Sequence, residues 1–393
     1  TAGDVIGVAD YANNFNSANC TLLRNGSNIG GQAINALLAI DGVAVTLVYV
    51  DGTKGWIVTD SGNQTDAPGA KYVTAAGGCI TTCGNYKIHT FYSPGTFCVS
   101  CAGNPSGSTQ AEYLIIGGGG GGGNYAAGGG GAGGYRETPG AAAGAYTVSP
   151  QAGLTVLTTA VQSYPVSVGA GGAGRSTPRG LGSSGCSSTF NSQSSAGGGG
   201  GNGANDGAGA PGASGGGGSG GGAPGLSNPA PGGTGNQPVV APPQGNDGGA
   251  GYDGQLSNTQ GGGGGGALCA GAQAASTVGG NGGAGAGTAI NLTTMPAPSP
   301  TPSAQIGTSG PSPAVRYFAG GGAGSSDNAG GPGGTGGTGG VGGGGNGVPY
   351  PASGNPGTIN TGGGGAGASG PDTGPITGGN GASGIVVIRY KYQ

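Results

Sequence analysis

Short runs of β-branched and aromatic residues, bounded by turn-forming residues, dominate the first hundred positions. Residues 43–50 read Val-Ala-Val-Thr-Leu-Val-Tyr-Val, Asp51-Gly52 follows as a hairpin turn, and residues 55–59 are the predicted return strand. The chain has no long apolar stripe of helical period, so we predict very low α content. Three further strands and one turn are predicted in this part: strands 20–23, 86–91 and 95–99, and the turn Ser93-Pro94-Gly95 between the last two.

The chain changes character after residue 103. Glycine accounts for 109 of 393 residues, against about 7% in an average protein, and much of it lies in runs such as 117–123. Strand-like segments at 111–116 and 384–392 flank the glycine-rich part, and we expect these first and last strands to come together. The predicted organisation has three parts: an N-terminal β module at 1–66, a cysteine-bearing β-hairpin module at 67–103, and a glycine-rich domain at 104–393.

The glycine runs need a conformation that can order them. Polyproline II geometry has three residues per turn and no internal hydrogen bonds. The backbone groups of such a helix can therefore form hydrogen bonds only with neighbouring helices. Glycine helices can approach closely because no side chain projects from them, and Cα–H···O contacts add to the packing. We therefore predict a mainly β fold with a stack of polyglycine II helices, and the alternative is disordered loops between strands.

Composition excludes several classes of function. Charged residues are 6% of the chain and the net charge is −3, so we expect no nucleic-acid partner. No apolar run approaches the ~20 residues of a membrane span, so we expect no membrane insertion. Glycine offers no side chain for catalysis, and GxGxxG matches carry no weight in this composition. We expect no enzyme activity and no cofactor, and we interpret the single histidine, His89, as a structural or a surface residue rather than a general base.

Seven cysteines are present, and four of them cluster: Cys79, Cys83, Cys98 and Cys101. Their spacing, Cys-x3-Cys followed by Cys-x2-Cys, resembles that of a structural zinc site. On strands, Cys79 and Cys83 share a face whereas Cys98 and Cys101 do not, which disfavours one ion held by a regular hairpin. Disulfides, a zinc clip and free thiols all stay open for these four residues.

Four tyrosines of the glycine-rich part lie within two residues of a glycine or a proline: Tyr125, Tyr135, Tyr252 and Tyr350. Tyrosine gives a large contact area at low entropic cost and is favoured in binding loops. Loops are also the natural place for recognition on a rigid scaffold. These four tyrosines are the candidate receptor contacts, and the alternative is that they pack as lids over the glycine stack.

Two parts of the chain resemble bacteriophage virion proteins. The segments at 25–29, 45–56, 87–91 and 95–97 resemble a β module recurrent in such proteins. The ordered pieces of the glycine-rich part are similar to the glycine-rich domain of phage tail-fibre and related virion proteins, over most of 111–393. More remotely, the composition is similar to the distal tail-fibre adhesins of T-even-like phages. The clustered cysteines depart from the pattern. The pieces that carry the second resemblance are 112–117, 128–136, 164–174 and 383–390.

The resemblance implies a fold and a function. The fold of the adhesins includes a polyglycine II sandwich with receptor-binding loops at its tip. We therefore expect a structural fibre or spike protein on the virion, contacting other virion proteins and binding a host surface glycan or outer-membrane protein. A homotrimer would let short β modules bury faces that one copy cannot. The alternatives are a head fibre or capsid-decorating protein without receptor binding and, more remotely, a glycine-rich ice-binding protein.

Overall fold

The chain consists of two compact units, Thr1–Lys71 and Tyr72–Gln393. Every regular element in the described ranges is a β-strand, which confirms the predicted mainly β fold with very low α content. The predicted boundary between residues 66 and 67 lies outside the described residues. The computed structural model describes residues 1–63, 70–141, 145–176, 179–203, 207–221, 230–254, 258–291, 306–327, 334–370 and 375–393.

The first unit contains a three-stranded antiparallel sheet of order β1-β4-β5 and a separate β2-β3 pair. The predicted turn joins β4 to β5, and the Asp51 carboxylate accepts hydrogen bonds from the amides of Thr53 and Lys54 at 2.8 and 2.6 Å. The Trp56 ring contacts the Tyr49 ring edge-on at 5.5 Å. The strands are β1 Val5–Ala9, β2 Cys20–Leu22, β3 Ala36–Leu38, β4 Val43–Asp51 and β5 Gly55–Asn63.

The second unit has sixteen labelled strands in its described part. Several are short, because glycine tracts interrupt them, and they include the predicted strands that flank the glycine-rich part. The strands are β6 Val73–Ala76, β7 Cys79–Cys83, β8 Tyr86–Phe91, β9 Gly95–Ala102, β10 Gln110–Ile116, β11 Tyr135–Glu137, β12 Leu157–Thr158, β13 Ser163–Val166, β14 Ser188–Phe190, β15 Gln193–Ser195, β16 Tyr252–Asp253, β17 Thr259–Gln260, β18 Ala286–Thr288, β19 Arg316–Phe318, β20 Ser326–Asp327 and β21 Ile385–Lys391.

A six-stranded sheet is the centre of this unit. Its order is β11-β10-β21-β8-β7, and β12 also pairs with β10. The predicted meeting of the first and last strands is confirmed, because β10 and β21 pair antiparallel with Leu114 opposite Val387. The predicted pairing of 86–91 with 95–99 is wrong. Both segments are strands, but β9 leaves the turn to join β6 and β13 in a second sheet.

Both faces of the six-stranded sheet are buried. On one face Tyr113 and Ile115 pack with Phe97 and Phe190 of neighbouring sheets. On the other face Leu114 and Ile116 pack in a second core. Alternate residues of one strand point to opposite faces, so β10 joins the two cores. Burying a large apolar side chain contributes about 1.5–3 kcal/mol, which makes this sheet the main apolar anchor of the unit.

The described glycine tracts between residues 117 and 384, called the glycine bundle, pair with one another through a repeat of three residues. The run 117–123 donates to three different tracts at 2.8 to 3.1 Å. It also accepts bonds from three others, for example Gly365 to Gly120. The amides of Gly117, Gly120 and Gly123 donate to the carbonyls of Gly134, Gly131 and Gly128, respectively. Those of Gly118 and Gly121 donate to Cys186 and Ser183, and those of Gly119 and Gly122 donate to Ala382 and Gly379.

The same repeat recurs in the run 128–134. Gly128, Gly131 and Gly134 donate to the tract 196–202. Gly129 and Ala132 donate to 262–265, and Gly130 and Gly133 donate to 362–365. Polyproline II has three residues per turn and no internal hydrogen bonds, so this repeat is the one that polyglycine II helices require. The helix designation itself stays a prediction.

Glycine is required in the bundle by close backbone approach. A Cβ atom added at Gly120 would lie 2.1 Å from the carbonyl oxygen of Gly199, and one at Gly264 would lie 2.1 Å from that of Gly130. At both glycines, the Cα hydrogen that occupies the Cβ position therefore points at a carbonyl oxygen. Such a contact is worth about 0.5–1 kcal/mol. The bundle is thus a core made of backbone, continuous with the apolar cores beneath it.

Candidate functional site

The tracts of the glycine bundle run in alternating directions, so their connections collect at two ends. At the base the tracts enter the strands: β10 leads into 117–123, and 127–134 leads into β11. At the opposite end, called the tip, bridges such as Asn124–Gly180 and Ala352–Ser369 tie the connections together. The described tip residues include 124–126, 175–176, 179–180, 251–254, 258–260, 275–278, 326–327, 348–352 and 369–370.

Tyr125 lies at the tip beside two arginines. Its φ is 76°, a value that is a genuine outlier for a bulky residue. The Arg179 guanidinium lies 4.0 Å from the centre of the Tyr125 ring, within the range of cation–π attraction. The Nε atom of Arg175 lies 3.4 Å from the Cβ position of Gly180. One aromatic ring and two cations therefore converge on the Asn124–Gly180 bridge.

Tyr252 and Tyr350 also lie at the tip. Tyr252 is half-buried on β16, opposite Gln260 of β17. Tyr350 is 37% exposed in the connection 348–352. The structure therefore brings three of the four candidate tyrosines to the same end of the bundle, although they come from connections far apart in sequence.

Tyr135 does not belong with them, and its prediction as a receptor contact is wrong. It lies at the base, where the run 127–134 enters β11, and its side chain is fully buried. Its hydroxyl donates to Oε2 of Glu137 at 2.7 Å. Burial and the neighbouring Glu137 carboxylate raise the pKa of Tyr135 well above its usual value. A side chain held in this way stabilises the base and cannot meet a macromolecular partner.

Glu137 is the centre of a buried polar cluster that the sequence did not reveal. Its carboxyl group accepts hydrogen bonds from the Ser149 amide at 2.9 Å and from the Thr288 hydroxyl. Burial raises the pKa of Glu137 to about 7. The partners are far away in the chain, so no local motif marks them. With every partner internal, the cluster joins β11 to β18 and serves the fold.

His89 is buried and structural, which is one of the two predicted alternatives; it is not a surface residue. Its Nδ1 lies 2.7 Å from the carbonyl oxygen of Gly77, and its Nε2 lies 3.1 Å from the Tyr390 hydroxyl. Its ring packs edge-on against Phe97. Burial lowers the pKa of His89 below its ordinary value. Both ring nitrogens are therefore occupied by internal partners.

The four clustered cysteines are not brought together. Cys79 and Cys83 lie on β7 in the six-stranded sheet, whereas Cys98 and Cys101 lie on β9 in the other sheet. All seven cysteines are free thiols. In the described ranges no three or more His, Cys, Asp or Glu side chains are placed to hold a metal ion. The zinc hypothesis fails because β9 leaves the predicted hairpin.

Comparison with known proteins places the chain in one family. None of the described segments forms a helix that is long and apolar enough to cross a membrane. No curated protein matches the sequence. The family described as a glycine-rich domain matches residues 92–391. That span takes in the six-stranded sheet from β10 onward and the whole glycine bundle, and it covers well over half of the chain. The chain therefore belongs to the glycine-rich domain family.

Proposed function

We propose that this chain is a non-enzymatic fibre or spike protein of a bacteriophage virion, and that the tip of its glycine bundle attaches the particle to the host cell surface. The observation that carries the proposal is the gathering of Tyr125, Tyr252 and Tyr350 at the tip. Their side chains come from separate connections, and their common location is the one expected of a recognition surface built on a rigid scaffold.

The architecture supports this division of labour. The base is anchored by buried side chains of β10 and β21. The bundle, which we propose to be polyglycine II, is held mainly by hydrogen bonds between backbone groups. Because backbone bonds do not depend on side-chain identity, the tip connections can change sequence without altering the scaffold. A surface that binds a receptor whose structure varies between hosts needs this freedom to change sequence.

The chemistry of the tip suits a sugar-bearing or protein receptor. Tyrosine rings provide amphipathic contact area with few rotatable bonds. The Arg179 guanidinium stacks on the Tyr125 ring at 4.0 Å, so its donors are held in a fixed plane. We propose that the partner is a host surface glycan or an outer-membrane protein.

The test is binding of the fluorescently labelled full chain to a panel of intact Gram-negative strains. We expect saturable binding to one or more strains, reduced at least tenfold by Tyr125→Ala and by Tyr350→Ala. Tyr11→Ala is the matched control, because Tyr11 is 98% exposed but lies in the first unit. Loss of binding after periodate treatment of the cells identifies a glycan, and loss after protease treatment identifies a protein.

Two outcomes would overturn the proposal. One is the absence of binding to every strain at micromolar protein. The other is equal loss of binding in Tyr11→Ala and the tip variants. Labelling the chain on intact particles then gives its position, and a capsid position without cell binding would instead support a decorating protein.

A further inference from the structure

The outer edge of the six-stranded sheet is an unprotected strand. Strand β7, Cys79-Ile80-Thr81-Thr82-Cys83, is the last strand in the sheet order. Its first four residues are exposed, with Ile80 at 45%. It contains no charged residue and no proline, the devices by which proteins normally prevent edge pairing. Strand β7 is therefore a ready template for another strand.

The hydrogen-bond ladder shows which groups of β7 face outward. The Tyr392 amide donates to the Asn85 carbonyl at 2.9 Å. Because antiparallel ladders alternate sides along each strand, odd-numbered residues of β8 bond to β21 and even-numbered ones bond to β7. Thr81 is opposite Ile88, so odd-numbered residues of β7 bond to β8. The backbone groups of Ile80 and Thr82 therefore point to the open edge.

We propose that two copies of this chain pair through β7, antiparallel, about a twofold axis at Thr81. Ile80 of each copy then exchanges two backbone hydrogen bonds with Thr82 of the other. The turns at Gly77-Gly78 and Gly84, where φ is positive, limit the contact to the five residues of the strand. The two six-stranded sheets become one continuous sheet across the axis.

The positions of the cysteines single out a second copy as the partner. In this register Cys79 of each copy lies opposite Cys83 of the other, in pairs without backbone hydrogen bonds. Such pairs have Cα atoms about 4.5 Å apart, which falls within the 4.4–6.8 Å range of disulfides. Within one strand the two cysteines are four residues, or about 13 Å, apart, so they cannot bond to each other. Only a copy of the same strand supplies both partners.

The covalent step is thiol–disulfide exchange with a small disulfide such as oxidised glutathione. A cysteine thiolate attacks the small disulfide, releases one small thiol and forms a mixed disulfide. The opposing cysteine thiolate then displaces the second small thiol. Each bond formed oxidises two protein thiols by two electrons and reduces one small disulfide to two thiols. The dimer carries two such bonds.

The first experiment treats the full chain with oxidised glutathione and uses electrophoresis without reductant. We expect a species of twice the 35.8 kDa of one chain, which returns to a single chain with reductant. Cleavage after Lys71 and Lys87 leaves both cysteines in one peptide, 72–87. Two copies of that peptide, joined with the loss of four hydrogens, are expected by mass spectrometry. A linked pair of other peptides, or a species that stays monomeric, would overturn the proposal.

Complementation tests the register. Cys79→Ser alone and Cys83→Ser alone each remove both opposing pairs, so neither variant should cross-link by itself. An equimolar mixture restores one pair, Cys79 of one variant with Cys83 of the other, and should cross-link. Cys186→Ser and Cys269→Ser, which remove two other exposed thiols, are the controls and should behave as wild type. Cross-linking by either single variant, or none in the mixture, contradicts the register.

A further variant tests the backbone pairing separately from the thiols. Ile80→Pro removes an amide that points outward and leaves the bonds to β8 in place, a position where edge strands accept proline. We expect unchanged thermal unfolding of the monomer and at least tenfold less cross-linked product. Undiminished cross-linking would show that β7 is not the contact. None of these readouts depends on the proposed attachment function.

Discussion

The Tyr390 hydroxyl lies 3.1 Å from Nε2 of His89, in a network that fixes the protonation of both groups. Nδ1 of His89 contacts the Gly77 carbonyl, which can only accept, so Nδ1 carries the proton. Nε2 then accepts from the Tyr390 hydroxyl, whose oxygen accepts from the Ala75 amide at 3.2 Å. The network closes only when His89 is neutral.

The contribution of His89 to the stability of the second unit should therefore be lost in acid. Burial lowers the pKa of His89 from 6.5, so below pH 6.5 the unfolded chain binds more protons than the native one. Stability is fully present above 6.5 and is lost as the pH falls toward the lowered value, by up to about 1.4 kcal/mol per pH unit. Urea unfolding at pH 7.5 and 5.5 measures this loss of stability. Both proteins compared, with and without His89→Gln, should carry Glu137→Gln, which removes the opposing titration of Glu137. In that background the stability difference between the two pH values should shrink when His89→Gln is added, and an equal difference would contradict the assignment.

Glu137 should produce the opposite dependence. Burial raises its pKa from 4.5 to about 7, so between these values the native protein binds more protons than the unfolded chain. The stabilisation is complete below pH 4.5 and is lost as the pH rises through 7, by on the order of 3 kcal/mol. In a His89→Gln background, where the opposing titration of His89 is absent, Glu137→Gln should unfold with less pH dependence over this window. In the same background Thr288→Val, which removes a donor but no titrating group, should keep the dependence, and a flat profile with Glu137 intact would exclude the effect.

Strands were predictable from the sequence, but their partners were not. The runs at 43–50 and 111–116 carry their β preference locally, in β-branched and aromatic residues. Pairing is decided by contacts far away in the chain. The break between β8 and β9 follows from the buried position of Phe97 among Tyr164 and Phe190, which no local turn signal reports.

The candidate site was predicted in part for the same reason. Tyr125 and Tyr135 have a similar local sequence character, a tyrosine within two residues of a glycine run. One lies at the tip and the other at the base because tract 127–134 reverses the direction of the chain between them. The hydrogen bond between Glu137 and Thr288 could not be predicted from the sequence, since 151 residues separate the two.

A single methyl group in the centre of the glycine bundle should be strongly destabilising. In Gly120→Ala the new Cβ would lie 2.1 Å from the Gly199 carbonyl oxygen, and backbone cannot rotate away as a side chain can. Overpacking costs about 1–3 kcal/mol, and we expect at least the upper end, measured by thermal unfolding. Gly7→Ala is the control, because no atom lies within 4 Å of its Cβ position. Equal unfolding temperatures would contradict the close-packed backbone.

Tyr125→Gly should separate stability from binding at the tip. Tyr125 holds a φ of 76°, a strain of about 1–3 kcal/mol that glycine does not have. Against this relief, glycine loses about 0.5–1 kcal/mol more backbone entropy, and the Arg179 contact, worth about 0.5–1 kcal/mol, disappears. These effects offset one another, so the free energy of unfolding should change by no more than about 1 kcal/mol, while binding to cells falls at least tenfold. A large loss of stability would mean that Tyr125 packs as a lid over the bundle, and unchanged binding would remove it from the recognition surface.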